Sequence, residues 1–101
     1  MPKRALIMHP YDNVATAVEE IQAGEDVAVP TGATTISLQA LEAIPFGFKI
    51  AIQAIPSGQI IRKYGETIGT ANTEIRKGAL VHIHNLEGTR ARGDLAKRGA
   101  A

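Results

Sequence analysis

Read for its apolar and polar positions, the chain repeats one short pattern four times. "IQAGEDVAV" starts at Ile21, "IPFGFKIAI" at Ile44, "IPSGQIIRK" at Ile55 and "IRKGALVHI" at Ile75. In each, a Gly follows the Ile by three residues (Gly24, Gly47, Gly58, Gly78), and Val27, Ile50, Ile61 or Val81 follows that Gly by three more. The pattern predicts a tight turn in which Gly takes a positive φ. The leading Ile packs the turn on the core, and a short strand leaves it. The uneven spacing of the four copies excludes a solenoid. It suits a compact, mainly β domain.

The remaining segments fill in around this pattern. "KRALIMH" and "TTISLQAL" read as strands. "DNVATAVEEIQAG" places apolar residues at 14, 15, 17, 18 and 21, a period near 3.6 that predicts one short helix near the N-terminus. Asp12 or Asn13 would cap its start and Gly24 its end. "TIGTANTEI", around Gly69, reads as a loop or a broken strand. Beyond Gly88 the apolar period is lost, so a domain is expected over 1–88 and a flexible basic tail over 89–101. "LEGTRARGDLAKRGAA" reads as a natural end rather than a truncation, and its Arg-Gly-Asp triplet is assigned no function.

Composition narrows the function classes. Apolar residues make up 45% of 101 residues, but aromatics only 4%, with no Trp, so the core must be built from Ile, Val, Leu and Ala. There is no Cys, which removes disulfides, thiolate metal sites and Cys nucleophiles. No apolar run approaches the roughly 18 residues of a membrane span, and no signal peptide is evident. The net charge is +1, and the basic residues gather at the ends rather than in a stripe. A cytoplasmic protein that binds neither nucleic acid nor membrane is expected.

Three segments carry more than local structure: "MHPYDNVATAV" (8–18), "IRKYGETIGTA" (61–71) and "GALVHIHN" (78–85). Together they resemble the N-terminal domain of the altronate and galactarate dehydratases, an SAF-type β-clip, and the free-standing small subunit of the sulfolactate sulfo-lyases. The resemblance covers about residues 5–86. It implies a lyase that takes a proton from beside a carboxylate and expels water or sulfite, with a divalent metal such as iron. It also implies a large catalytic partner subunit that holds most of the active site and the metal. The family often has a third His two residues before the His-x-His pair. Leu80 stands there in this chain.

The candidate residues follow. His82 and His84, two apart on an expected strand, would face one way and offer two imidazoles to one metal. Val81 and Ile83 would then face the core. The same alternation also describes a strand with a polar outer face. Asn85 would orient a substrate carboxylate or hydroxyl, or simply make a turn. At the expected helix N-terminus, Asp12 and Asn13 would help to seat an anionic substrate or merely cap the helix. His9 would add a hydrogen-bond donor, a general acid/base or a ligand. Lys63 would clamp a carboxylate or stabilise an enediolate and Tyr64 would donate a hydrogen bond or move a proton, with Gly65 among the substrate-binding residues; the three also read as a basic strand end, a packing aromatic and a turn Gly. The expected reading is thus a small subunit or domain of a metal-dependent hydroxy-acid lyase, inactive alone. A non-catalytic binder of small acids or carbohydrates is the alternative. Exposed strand edges leave a homo-oligomer open.

Overall fold

The computed structural model describes residues 2–88, and the expected tail at 89–101 lies outside them. The described residues form nine strands and no helix: β1 (Lys3–Leu6), β2 (Val14–Ala17), β3 (Asp26–Pro30), β4 (Thr35–Gln39), β5 (Lys49–Ala51), β6 (Ile60–Lys63), β7 (Glu66–Ala71), β8 (Leu80–Val81) and β9 (Leu86–Gly88). One sheet has the order β4-β3-β1-β2-β5-β8 and the other β6-β7-β9. All pairs are antiparallel except β1 with β3. The segment read as a loop or broken strand supplies β7, whose pairing with β6 shifts register between Ile61 and Arg62.

The four-fold pattern is the framework of the domain. The four glycines have φ between 86° and 92°. In each copy the residue after Gly donates its N–H to the carbonyl three residues back, for instance Phe48 to Pro45 at 3.0 Å and Gln59 to Pro56 at 3.0 Å. These are turns with Gly at the one position that demands a positive φ. The copies then pair. Gly24 donates to Ala40 and Gly47 to Ala17, while Gly58 donates to Ala71 and Gly78 to Ala51, at 2.7–2.8 Å. Each of these alanines stands four residues before a pattern Ile, so the repeated unit is Ala-x-x-x-Ile-x-x-Gly. The isoleucines bridge in the same pairs, Ile21 with Ile44 and Ile55 with Ile75.

Each pair of units owns a core. Ile21 and Ile44 lie in one with Ala15, Ala17, Val27, Val29 and Ile50. Ile55 and Ile75 lie in the other with Val14, Ala51, Ile61, Ala71 and Val81. All four isoleucines are buried, and each contributes about 2 kcal/mol by leaving water. The strands β2, β5 and β8 are the wall between the cores. Alternation sends Ala15, Ala17 and Ile50 to one side and Val14, Ala51 and Val81 to the other.

That double burial explains the absent helix. Residues 14–17 face apolar neighbours on both sides of a strand, so their apolar positions run on instead of alternating. A continuous apolar run with Ala in it imitates a helical period. The β-branched Val14 and Thr16 belong to the strand they form. Gly24, expected to end the helix, is instead the turn glycine of the first unit, and Asp12 and Asn13 cap nothing.

Candidate functional site

Asp12 and Asn13 are buried, and their side chains are the fasteners of the neighbouring hairpin. Strands β6 and β7 are joined by a two-residue turn, Tyr64-Gly65, with Lys63 paired to Glu66. Both turn residues have positive φ, 59° and 74°, as this type of hairpin turn requires. Gly adopts this freely. Tyr does so at a cost of roughly 1–2 kcal/mol. The Asp12 carboxylate holds the turn by accepting N–H groups from Tyr64 (3.0 Å) and Gly65 (2.7 Å), and it also accepts from Met8 (3.1 Å). Asn13 imitates a strand residue. Its Nδ2 donates to the Ile60 carbonyl at 2.9 Å and its Oδ1 accepts from the Arg62 N–H at 2.8 Å.

His9 lies against this turn. A Cβ on Gly65 would come within 2.7 Å of the His9 ring, so the glycine is required by the imidazole as well as by its φ. The His9 Nδ1 accepts the Tyr11 N–H at 3.2 Å, and the two rings are 5.2 Å apart. A neutral ring accepting at Nδ1 carries its proton on Nε2. His9 is thereby set up as a donor at Nε2, toward an anion or a leaving oxygen. Ligating a metal through Nε2 would require the proton to move to Nδ1, which faces another N–H. His9 also lines a shallow cleft of about 180 Å³ with Ile7, Met8, Pro10 and the Pro30–Gly32 segment. Tyr11 and Tyr64 are 73% and 56% exposed, and the Lys63 ammonium lies 5.1 Å from the centre of the Tyr64 ring, within cation–π range. His9, Asp12, Lys63, Tyr64 and Gly65 are thus gathered at one end of the domain, with Asn13 beneath.

The His-x-His segment is elsewhere and is not a strand. β8 ends at Val81, and residues 82–85 make a turn closed by Asn85. The Asn85 Oδ1 accepts from the His82 N–H at 2.9 Å, its Nδ2 donates to the Leu80 carbonyl at 2.8 Å, and its own N–H donates to the His82 carbonyl at 3.0 Å. The two imidazoles therefore do not share a strand face. His82 packs on Phe48, with ring centres 4.8 Å apart, while His84 is exposed. Ile83, expected in the core, is 79% exposed. Asn85, a buried side chain with both ends of its amide engaged, overrides the alternation that suggested a strand. Among the described residues no three His, Asp or Glu side chains gather as a metal site. His82 and His84 alone do not make up the four ligands of a closed site, so the described residues of this chain would supply at most part of the ligand set for the metal that the resemblance implies.

Sequence reasoning passed over Lys49. It stands on β5 opposite Thr16 of β2 and Val81 of β8. Burial lowers its pKa from the ordinary lysine value, and the Lys63 charge lowers it further. A lone Lys between Phe48 and Ile50 gave no motif to notice. The signal was its place in a strand between half-buried Phe48 and buried Ile50.

These features define a small β domain with two cores and an end where His9, Lys63 and two exposed tyrosines gather. Comparison with known proteins gives the class a family. Residues 3–89 match the altronate/galactarate dehydratase SAF domain, and the chain belongs to that family. It is 37% identical over 85 residues to altronate dehydratase of Bacillus subtilis, covering 84% of this chain and 16% of that protein. The (2R)-sulfolactate sulfo-lyase subunit alpha of Chromohalobacter salexigens is 31% identical over 85 residues, covering 80% of this chain and 90% of that subunit. Altronate dehydratase of Escherichia coli is 35% identical over 78 residues, 15% of its length. The chain thus spans a small part of the dehydratases it matches, and nearly the whole of the sulfo-lyase subunit.

Proposed function

We propose that this chain is the small subunit, or one domain, of a lyase acting on a hydroxy-acid of the altronate or sulfolactate kind. It completes the active site of a larger catalytic partner and has little turnover alone. The observation that carries the reading is the match to nearly the full length of a protein named as a subunit. The gathered end around His9 supports it, because reactive groups and exposed aromatic rings lie there together. In this reading His9 donates from Nε2 to the substrate carboxylate or to the departing group. Lys63 offsets the negative charge that builds up as the proton beside the carboxylate is removed. Tyr64 is held on its strained turn to meet substrate or partner. The divalent metal belongs mainly to the partner.

Purification of the tagged chain from its native cell extract tests this. The expected result is a larger protein in stoichiometric amount, with hydroxy-acid lyase activity that His9→Ala reduces by about two orders of magnitude. A chain recovered alone that binds a small acid without any activity would make it a binding module instead.

A further inference from the structure

The proposed function leaves the proton on the His9 Nε2 two recipients, the acid group of the substrate or the departing group. The surroundings of the ring choose between them. His9 opens a turn, His9-Pro10-Tyr11-Asp12, in which the Asp12 N–H donates to the His9 carbonyl at 3.0 Å. Pro10 stands second, where its fixed φ presets such a turn. On the other side of His9, the Met8 N–H is held by the Asp12 carboxylate. The ring itself is held at an edge and on a face. At the edge, Nδ1 accepts the Tyr11 N–H at 3.2 Å. On the face lies Gly65, so close that a Cβ there would stand 2.7 Å from Cδ2 and 2.8 Å from Cγ. Among the described residues Nε2 has no partner, and His9 lines the cleft with Pro10, Pro30, Thr31 and Gly32.

These contacts decide the chemistry. A histidine that protonates a leaving group does so as an imidazolium, with an N–H at both nitrogens. A neutral ring cannot do it near neutral pH, because it would be left as an imidazolate anion. In this chain an N–H at Nδ1 would face the Tyr11 N–H with no acceptor between them. The ring that fits its surroundings is neutral and carries a single N–H, at Nε2. Such a ring holds an oxyanion by hydrogen bonding and keeps its proton. We propose that His9 is a neutral, fixed hydrogen-bond donor to the carboxylate of the hydroxy-acid, which gathers negative charge as the neighbouring proton is removed. The Tyr11 amide is its positioning group. The inference rests on the proposed function and narrows it: any proton that the departing group takes comes from a group other than His9.

The test compares His9→Gln with His9→Ala in the co-purified enzyme, assayed with altronate and with (2R)-sulfolactate. Gln carries an NH2 group at about the reach of Nε2, so it can donate a hydrogen bond but cannot act as an acid. The donor role predicts a kcat within about tenfold of the parent for His9→Gln, and a loss of about a hundredfold or more for His9→Ala. Equal losses in the two variants, both still bound to the partner, would overturn the inference and leave the lyase reading standing. A chain recovered without partner or lyase activity would sink the lyase reading and this role with it. The ring is tested on the full chain alone, with 15N labelling. NMR should show a neutral His9 protonated at Nε2, and a 15N–15N coupling between the Tyr11 amide and Nδ1. A proton found on Nδ1 near neutral pH would overturn the inference whatever the purification yields.

Discussion

Asp12→Ala separates two roles that one carboxylate can play. If the side chain serves the fold, its removal should unfold the hairpin it holds. The carboxylate accepts three N–H groups, from Met8, Tyr64 and Gly65, and is 5% exposed. A hydrogen bond to a charged group is worth about 1.5–3 kcal/mol, and part of the loss is regained when water reaches the freed amides. Three bonds at the lower figure give about 4 kcal/mol. A small domain has only about 5–15 kcal/mol in all. The melting temperature should therefore fall by roughly 20 °C, and the urea midpoint should fall in proportion with little change in slope. The amide signals of Tyr64 and Gly65 should be the first to lose protection from hydrogen exchange. Asp12→Asn keeps one acceptor but turns an NH2 group toward amide donors, so it should fall between. A variant within about 1 kcal/mol of the parent, with its activity in the assembled enzyme abolished, would refute the reasoning and make Asp12 a ligand-facing group.

Three further outcomes are expected. An added Cβ at Gly47 meets nothing within 4 Å, whereas at Gly78 it would overlap the Gln39 carbonyl oxygen. Gly47→Ala should cost about 1–2 kcal/mol for its φ and Gly78→Ala a further 1–3 kcal/mol for the displaced backbone, both read from urea unfolding; equal costs would contradict the packing. Lys49→Met should raise stability at neutral pH and flatten its pH dependence. The pKa of Lys49 is lowered in the fold, so the parent gains stability as pH rises between that lowered value and the ordinary 10.5; a variant with an unchanged slope there would show that Lys49 is not the group responsible. Tyr64→Gly should stabilise the domain by about 0.5 kcal/mol by relieving the left-handed tyrosine, while lowering kcat/KM in the partnered enzyme. A stabilised variant of full activity would leave the tyrosine without a functional reason.

The turns were legible because Gly at fixed distance from Ile leaves one backbone solution, and all four copies adopt it. Their pairing was not, since it depends on alanines that signal nothing on their own. Val14 to Ala17 misled for a physical reason: a strand buried on both faces has no polar side to reveal its period. Asn85 misled in the opposite way, because its turn ends an apparent strand at Val81, three residues before the alternation does. The site was half legible. His9, Lys63, Tyr64 and Gly65 were reachable through resemblance and do lie together. Lys49 has no motif, and only the pairing of β5 between β2 and β8 half-buries it.

Local rules are obeyed almost everywhere in this domain. The repeat turns place Gly at positive φ, the buried polar side chains Asp12, Asn13 and Asn85 are all hydrogen-bonded, and the two cores are apolar. One backbone departure stands at the β6–β7 turn. Tyr64 is the single non-Gly residue with positive φ among the described residues. Tyr11 and Tyr64 stand in solvent beside His9 and Lys63. The strained turn costs the isolated chain free energy, offset in part by the Lys63 ammonium over the Tyr64 ring. A sequence consistent at the other glycine turns has no folding reason to put a tyrosine at this one. Function supplies that reason. The Tyr64 ring is held out by a turn that a buried carboxylate fastens, the Tyr11 ring stands in solvent, and the Lys63 ammonium lies over the Tyr64 ring. All three would be satisfied together by an acidic substrate closed in by a second protein surface.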